Sequence, residues 1–316
     1  MAIVYLVVPC YNEEAVLPET AKRLTAKLAS MINSGLCDPA SRIMFVDDGS
    51  RDKTWDIIAA LHRSNGLICG LKLAHNRGHQ HAIYGGLMSA RVFADCVITL
   101  DADLQDDIGI LDQFIVKYRE GCEVVYGVRK KRSTDTLFKR FTAQSFYRIM
   151  KGLGVDIVYN HADYRLMGRR ALEALSGYRE VNLFLRGIVP LIGFRSDYVY
   201  YERRERFAGE SKYPVRKMFS FAIDGITSFS VKPLKIISNL GIFISILSVL
   251  GLIYALVSKL AGVAITGWTA IIASIWLLGG IQLLCIGVVG EYIGKIYSEV
   301  KARPRFVVEE LLNKEE

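Results

Sequence analysis

The sequence predicts an α/β domain followed by a helical hairpin in a membrane, and three observations carry that prediction. Short apolar runs alternate with helix-spaced segments up to about residue 130. The runs close on polar clusters, Tyr11-Asn12-Glu13, Asp47-Asp48 and Asp101-Ala102-Asp103. Beyond Pro233 the pattern changes to long apolar stretches that carry no charge.

The first run, Ile3–Val8, is apolar on both faces, as a buried parallel strand is, and ends at Pro9. Glu13–Ile32 has helical spacing through Val16, Leu17, Leu24, Leu28 and Ile32. Arg42–Val46 is the second strand, Asp52–Leu61 a helix and Leu67–Leu73 the third strand. Gly78–Val92 then reads as a helix, and Cys96–Leu100 and Val124–Val128 as further strands. Such a sheet is mostly parallel, and its ligands sit at the carboxyl ends of its strands. No Gly-x-Gly-x-x-Gly opens the first helix and no Walker loop is present, which disfavours a dinucleotide fold or an ATPase.

Apolar Val97-Ile98-Thr99-Leu100 leads into Asp101-Ala102-Asp103-Leu104-Gln105. In an extended backbone alternate side chains share a face, so Asp101, Asp103 and Gln105 would point into one cleft. Two carboxylates and an amide oxygen are hard ligands suited to Mg²⁺ or Mn²⁺ carrying a diphosphate. His79 and His81 are two apart at a helix start and do not share a helix face, so a phosphate-facing loop with Arg77 and Gly78 is preferred to a metal pair.

The chain has 316 residues and a formal net charge of +8. Its pI is about 9.1 and its mean hydropathy is +0.25. The charge suits an anionic partner: phosphate groups, nucleic acid or the cytoplasmic membrane face. Six scattered cysteines form no Cys-x-x-Cys pair and no zinc spacing, so buried free thiols in a reducing compartment are expected. The first apolar run stops at Pro9 and follows no basic segment, so it is not a signal peptide.

Between residues 129 and 231 lie a basic run, Arg129 to Arg132, and a basic, aromatic-rich helix over Leu137–Gly152 that suits either a membrane surface or the sheet. Phe219–Val231 is amphipathic enough to lie in the interface. Residues 236–257 are about 22 in number, or about 33 Å of helix, enough to span a hydrocarbon core. Residues 269–289 form a second such span. Lys232 and Lys235 flank the pair on one side, and Lys295, Lys301, Arg303 and Arg305 on the other. Positive-inside bias then places both chain ends in the cytoplasm. The expected division is a cytoplasmic domain over 1–231, and a hairpin with a cytoplasmic tail over 232–316.

Four motifs appear in order: Val8-Pro9-Cys10-Tyr11-Asn12-Glu13-Glu14, Val46-Asp47-Asp48-Gly49-Ser50, Asp101-Ala102-Asp103-Leu104-Gln105 and Gly209-Glu210-Ser211-Lys212-Tyr213. With two spans behind them, they resemble a family 2 inverting glycosyltransferase with the GT-A fold, a Rossmann-like, mostly parallel sheet, of the polyprenyl-phosphate branch. That branch includes bactoprenol glucosyltransferases and dolichol-phosphate mannose synthase. The resemblance implies that Pro9, Tyr11 and Glu13 hold the nucleotide, with Asp48 on the base edge and Asp47 ordering its turn. It places Asp101 by ribose and metal, Asp103 and Gln105 on the metal, and Arg77 in a phosphate-facing loop. Arg206, Ser211 and Lys212 suit phosphate oxygens, and Arg129 and Arg203 are weaker phosphate candidates. Asp163, in Asp-Tyr-Arg-Leu-Met, is the catalytic candidate opposite the leaving group, as base or as orienter.

The expected reaction moves a hexose, glucose from UDP-glucose, to undecaprenyl phosphate at the cytoplasmic face of the inner membrane. GDP-mannose, a UDP-N-acetylhexosamine or an amino-sugar donor is the alternative, as is a non-catalytic membrane scaffold. A processive synthase is disfavoured, because Gln-x-x-Arg-Trp is absent and two spans make no channel. The implied protein is multi-pass and homo-oligomeric, with a tetramer as one expected assembly, Gly290 and Gly294 at the close approach and no nucleic-acid partner.

Overall fold

A run of seven fully buried residues, Val4–Cys10 (β1), forms the spine of the sheet. The computed structural model describes residues 1–130, 161–180, 183–202, 232–260 and 267–313. Helix α1 (Leu17–Asn33) follows β1, then β2 (Arg42–Asp47), α2 (Thr54–Ser64), β3 (Ile68–Leu73), α3 (His79–Ala90) and β4 (Cys96–Thr99). Helices α1 and α2 connect parallel neighbours, β1 to β2 and β2 to β3, and these largely apolar strands are buried. Leu17, Leu24 and Leu28 of α1 are fully buried, at the helical spacing that the sequence displays.

Helix α4 (Leu111–Arg119) and strand β5 (Val124–Arg129) come next. Strand β6 (His161–Gly168) is followed by α5 (Arg169–Gly177), α6 (Leu185–Leu191) and β7 (Ser196–Tyr201). The eight-stranded sheet has the order β7-β5-β6-β4-β1-β2-β3-β8, where β8 is Val308–Leu312. Four of the seven pairings are parallel; β6 runs antiparallel to both β4 and β5, and β8 runs antiparallel to β3. The sheet is therefore mixed at its margins and parallel at its centre, as the alternating pattern predicts for the central strands.

Two compact units divide the chain. The first holds the sheet and its helices and also takes Ala302 onward. The tail expected to belong with the hairpin is thus an edge strand of the sheet. Lys72 pairs with Glu309 at 2.9 Å, the Ala74 N–H donates to the Val307 carbonyl, and the Arg305 guanidinium stacks 4.6 Å from the Tyr84 ring centroid. The second unit contains α7 (Lys232–Leu260, 29 residues) and α8 (Trp268–Lys301, 34 residues). At 1.5 Å per residue these are about 44 and about 51 Å long, longer than the predicted spans. Helix α8 continues past the expected end at 289, through Glu291, Lys295 and Glu299. Among the described residues one stretch, Leu277–Lys301, is long and apolar enough to cross a membrane, and its apolar window is unburied. Ile236, Phe243 and Leu283 are all more than half exposed.

Candidate active site

The carboxyl ends of β1, β2 and β3 are tied together by their own loops. Asn12, in a left-handed backbone (φ 53°), receives the Arg51 N–H on its side-chain oxygen, while its own N–H donates to Ser50 Oγ. The Glu13 N–H donates to Thr54 Oγ1. The Asp47 carboxylate is fully buried and accepts the Ser50 N–H at 3.2 Å, closing the β2–α2 turn. That turn needs Gly49, whose φ is +66° and whose Cβ position would fall 2.6 Å from the Asn76 nitrogen. Asp48 accepts from the Arg77 N–H at 2.8 Å and the Gly78 N–H at 2.9 Å, and so holds the loop that opens α3. Burial raises the Asp48 carboxyl despite those two bonds. Pro9 is buried, while Tyr11 and the Arg77 side chain are exposed beside this loop cluster.

The acidic segment does not continue as a strand. Strand β4 ends at Thr99, Leu104 takes φ 57°, and Asp103 Oδ1 accepts the Gln105 N–H at 3.1 Å. A side chain that caps its own backbone two residues on makes a turn, so the alternation expected for Asp101, Asp103 and Gln105 is lost. Asp101 and Asp103 remain partly exposed, whereas Gln105 is buried. Among the described residues no three His, Cys, Asp or Glu side chains converge on one metal position. Two reachable carboxylates nonetheless fit a hard cation that is completed by water and substrate phosphates, as Mg²⁺ sites usually are.

His79, the first residue of α3, bridges the acids. Its Nε2 lies 3.5 Å from Asp101 Oδ1 and 3.7 Å from Asp163 Oδ2. Burial lowers the imidazole, but Asp163 and Asp101 more than offset it, and the pKa is raised. His79, at the end of the loop expected to face phosphate, lies against two carboxylates.

Asp163 stands on β6, beside β4, and is nearly fully buried. Gln80 Nε2 donates to it at 3.1 Å, Arg186 Nη2 at 3.0 Å and Nε at 3.3 Å, and Arg165 Nη2 binds Oδ1. Burial works against the charged form, yet Arg186, His79 and Arg165 hold the carboxyl well below the usual carboxylate range. A second buried acid, Asp106, accepts from the Tyr201 hydroxyl at 2.5 Å and lies 3.8 Å from Arg129 Nη2. Burial, then the Asp101 charge, pushes its pKa up to about 6. Arg129, whose Nε donates to Tyr201 Oη, is thereby fixed at the end of β5.

The structure thus joins Asp101 to Asp163 through His79, and Asp48 to His79 through Gly78. Arg203, Arg206, Ser211 and Lys212 lie outside the described residues, as do the basic helix over 137–152 and the segment 219–231. Gln80, Asp106, Arg186 and Tyr201 were missed from sequence. Asp163 and Arg165 are two apart on a strand and so share a face, a signal that was available. Arg186 gives no such signal, because its partner is distant in sequence.

Residues 5–176 match the model of the family described as glycosyl transferase family 2, and residues 232–296 match that of the GtrB C-terminal hairpin. An uncharacterized glycosyltransferase, YkoT, of Bacillus subtilis is 54% identical over 97% of this chain and 91% of its own. The SfII prophage-derived bactoprenol glucosyl transferase of Shigella flexneri is 39% identical over 96% of each chain. Among solved structures, mannosyl-3-phosphoglycerate synthase from Rubrobacter xylanophilus is 17% identical, with a TM-score of 0.47 over 71% of each chain.

Proposed function

The chain belongs to glycosyltransferase family 2, with the GT-A fold, and from that premise we propose that it transfers a hexose from a nucleotide sugar to a polyprenyl phosphate at a membrane. The proposed donor is UDP-glucose, the acceptor undecaprenyl phosphate, and the outcome inversion at the anomeric carbon. The observation that carries the reading is the pair of partly exposed carboxylates, Asp101 and Asp103, just past the end of β4, with Asp101 linked through His79 to buried Asp163 and its partner Arg186. Full-length likeness to bactoprenol glucosyl transferases supports the lipid phosphate acceptor.

Asp101 and Asp103, with Gln105 as a further oxygen donor, would hold Mg²⁺ or Mn²⁺. When bound, the metal supplies Lewis-acid stabilisation to the departing nucleoside diphosphate. The loops around Pro9, Tyr11, Glu13 and Asp48 take the nucleoside, with Arg77 at their rim. Arg129, Arg203, Arg206, Ser211 and Lys212 make the phosphate-binding side.

A monoalkyl phosphate has a second pKa near 6 and is largely ionised at pH 7, so the attacking oxygen needs no base. A carboxylate held far below its ordinary pKa is also a poor proton acceptor at neutral pH. Asp163 therefore orients His79 and Arg186 around the reacting groups rather than accepting a proton.

Helices α7 and α8 would cross the inner membrane as a hairpin, with both chain ends on the cytoplasmic side. The experiment is transfer by the purified protein to undecaprenyl phosphate, with labelled UDP-glucose, GDP-mannose, UDP-N-acetylglucosamine and an amino-sugar donor. Lipid-linked glucose formed in Mg²⁺ or Mn²⁺, and lost in EDTA, supports the reading. Preference for another sugar corrects the donor, and no product with any donor favours a scaffold.

A further inference from the structure

The acidic turn has no regular structure of its own, yet three hydroxyls from distant elements hold it. Strand β4 ends at Thr99, and from Leu100 to Asp107 neither strand nor helix fixes the backbone. On one side Thr20 Oγ1, from α1, donates to the Ala102 carbonyl at 2.7 Å. On the other, Tyr201 Oη, at the end of β7, donates to Asp106 Oδ1 at 2.5 Å. Tyr164 Oη, from β6, donates to the Asp107 carbonyl at 3.0 Å. Thr20, Tyr164 and Tyr201 are all buried. The two tyrosine rings meet edge to face with centroids 5.5 Å apart, and Phe114 packs on Tyr164 at 4.9 Å, so neither hydroxyl can swing away without disturbing the core.

These anchors fall where they govern the two carboxylates. Asp103 lies between the Ala102 and Asp106 anchors, and Asp101 immediately precedes the first. Ala102 and Leu104 are buried, while Asp101 and Asp103 stay partly exposed. Leu104 holds φ 57°, a backbone unfavourable for a bulky side chain that persists only where its surroundings over-determine it. Arg129 Nε donates to Tyr201 Oη at 3.3 Å, which commits the hydroxyl hydrogen of Tyr201 to Asp106. Groups that orient metal ligands without touching the metal typically set its affinity by about tenfold to a hundredfold.

We propose that Tyr201, Tyr164 and Thr20 are positioning residues that frame the acidic turn from both sides and so set the affinity of Asp101 and Asp103 for a divalent cation. This rests on the reading of those two carboxylates as metal ligands. None of the three hydroxyls touches the metal or the sugar; each acts through the turn.

The test measures Mn²⁺ binding as well as turnover. Purified full-length protein in mild detergent is titrated with Mn²⁺ in the presence of UDP, with free Mn²⁺ read by electron paramagnetic resonance. Wild type is compared with Tyr201→Phe and Thr20→Val, which delete one hydroxyl each and keep most of the packing. We expect Mn²⁺ dissociation constants about tenfold higher in both variants, about 1.4 kcal/mol. The Mn²⁺ concentration that half-activates transfer should rise by a similar factor, with most of kcat recovered at saturating metal. Wild-type Mn²⁺ affinity in both variants overturns the proposal even if they melt earlier, because a merely structural hydroxyl lowers stability without moving the metal constant. Weakening in one variant alone also overturns it, since a frame acts from both sides; in Tyr201→Phe such an effect would pass through Arg129. Should Tyr201→Phe fail to fold, Tyr164→Phe takes its place and the same outcomes decide. A wild-type protein that binds no Mn²⁺ contradicts the metal reading itself, whereas Mn²⁺ binding that neither variant alters contradicts this proposal alone.

Discussion

The Asp163 carboxylate accepts from Arg165, Arg186 and Gln80, and those partners determine how its substitution behaves. Replacement by Asn leaves the fully buried Arg165 without its counter-charge, which costs about 3–5 kcal/mol. Asp163→Asn should therefore lower thermal stability together with activity. Asp103→Asn, at a partly exposed turn, should cut turnover by about two orders of magnitude, about 3 kcal/mol, at nearly wild-type stability. Kinetics and melting of the two variants side by side check this contrast. The pH sign follows from the direction of the shift. A carboxyl whose folded pKa is depressed contributes stability that is fully present above the unfolded value, about 3.9, and is lost as pH falls through the folded value. Acid unfolding should thus begin below about pH 4, and Asp163→Asn should weaken that acid dependence. A profile of kcat should carry no acid limb from Asp163 between about pH 5 and 8, whereas a base poised near neutrality would give one.

At the scale of elements, the central strands and their helices are legible because each carries its own periodicity. Strands β1 to β4 are largely apolar, with Arg42, Asp47 and Lys72 at or near strand ends, as strands covered on both faces tend to be. Strand β6 escaped recognition because His161, Asp163 and Arg165 interrupt its apolar run, and those interruptions are the site itself. Strand β8, Val-Glu-Glu-Leu-Leu, lies at an exposed sheet edge, so no alternation marks it. The acidic turn was misread as extended because Leu104 occupies a left-handed conformation that its side chain does not advertise. Strand β8 also carries a prediction. Truncation after Ala302 removes the Lys72–Glu309 pair and the ladder to β3, and leaves the β3 edge open. We expect a lower melting temperature and faster aggregation, measured by calorimetry and light scattering, and Lys72→Ala should reproduce less than about 1 kcal/mol of that loss.

At the scale of the whole molecule, the partition between a polar front and an apolar hairpin was plain from composition, and the helices α7 and α8 follow it. Their individual lengths were not, because a helix continues past its apolar core wherever the backbone stays satisfied. Gly279, Gly280, Gly287, Gly290 and Gly294 have open space where a Cβ would stand. Small residues allow close helix approach in lipid, so a homo-oligomer is expected, and Gly290→Leu should shift the native mass in mild detergent toward monomer. An unchanged monomeric mass for both proteins would contradict it.

The central claim is that a metal held by Asp101 and Asp103 serves hexose transfer to a lipid phosphate. Its most direct measurement is formation of lipid-linked [¹⁴C]glucose from UDP-glucose and undecaprenyl phosphate by the purified full-length protein. We predict product in Mg²⁺ or Mn²⁺, none in EDTA, restoration on adding metal back, and about a hundredfold less with Asp103→Asn. Undiminished product in chelator, or from Asp103→Asn, would contradict the account.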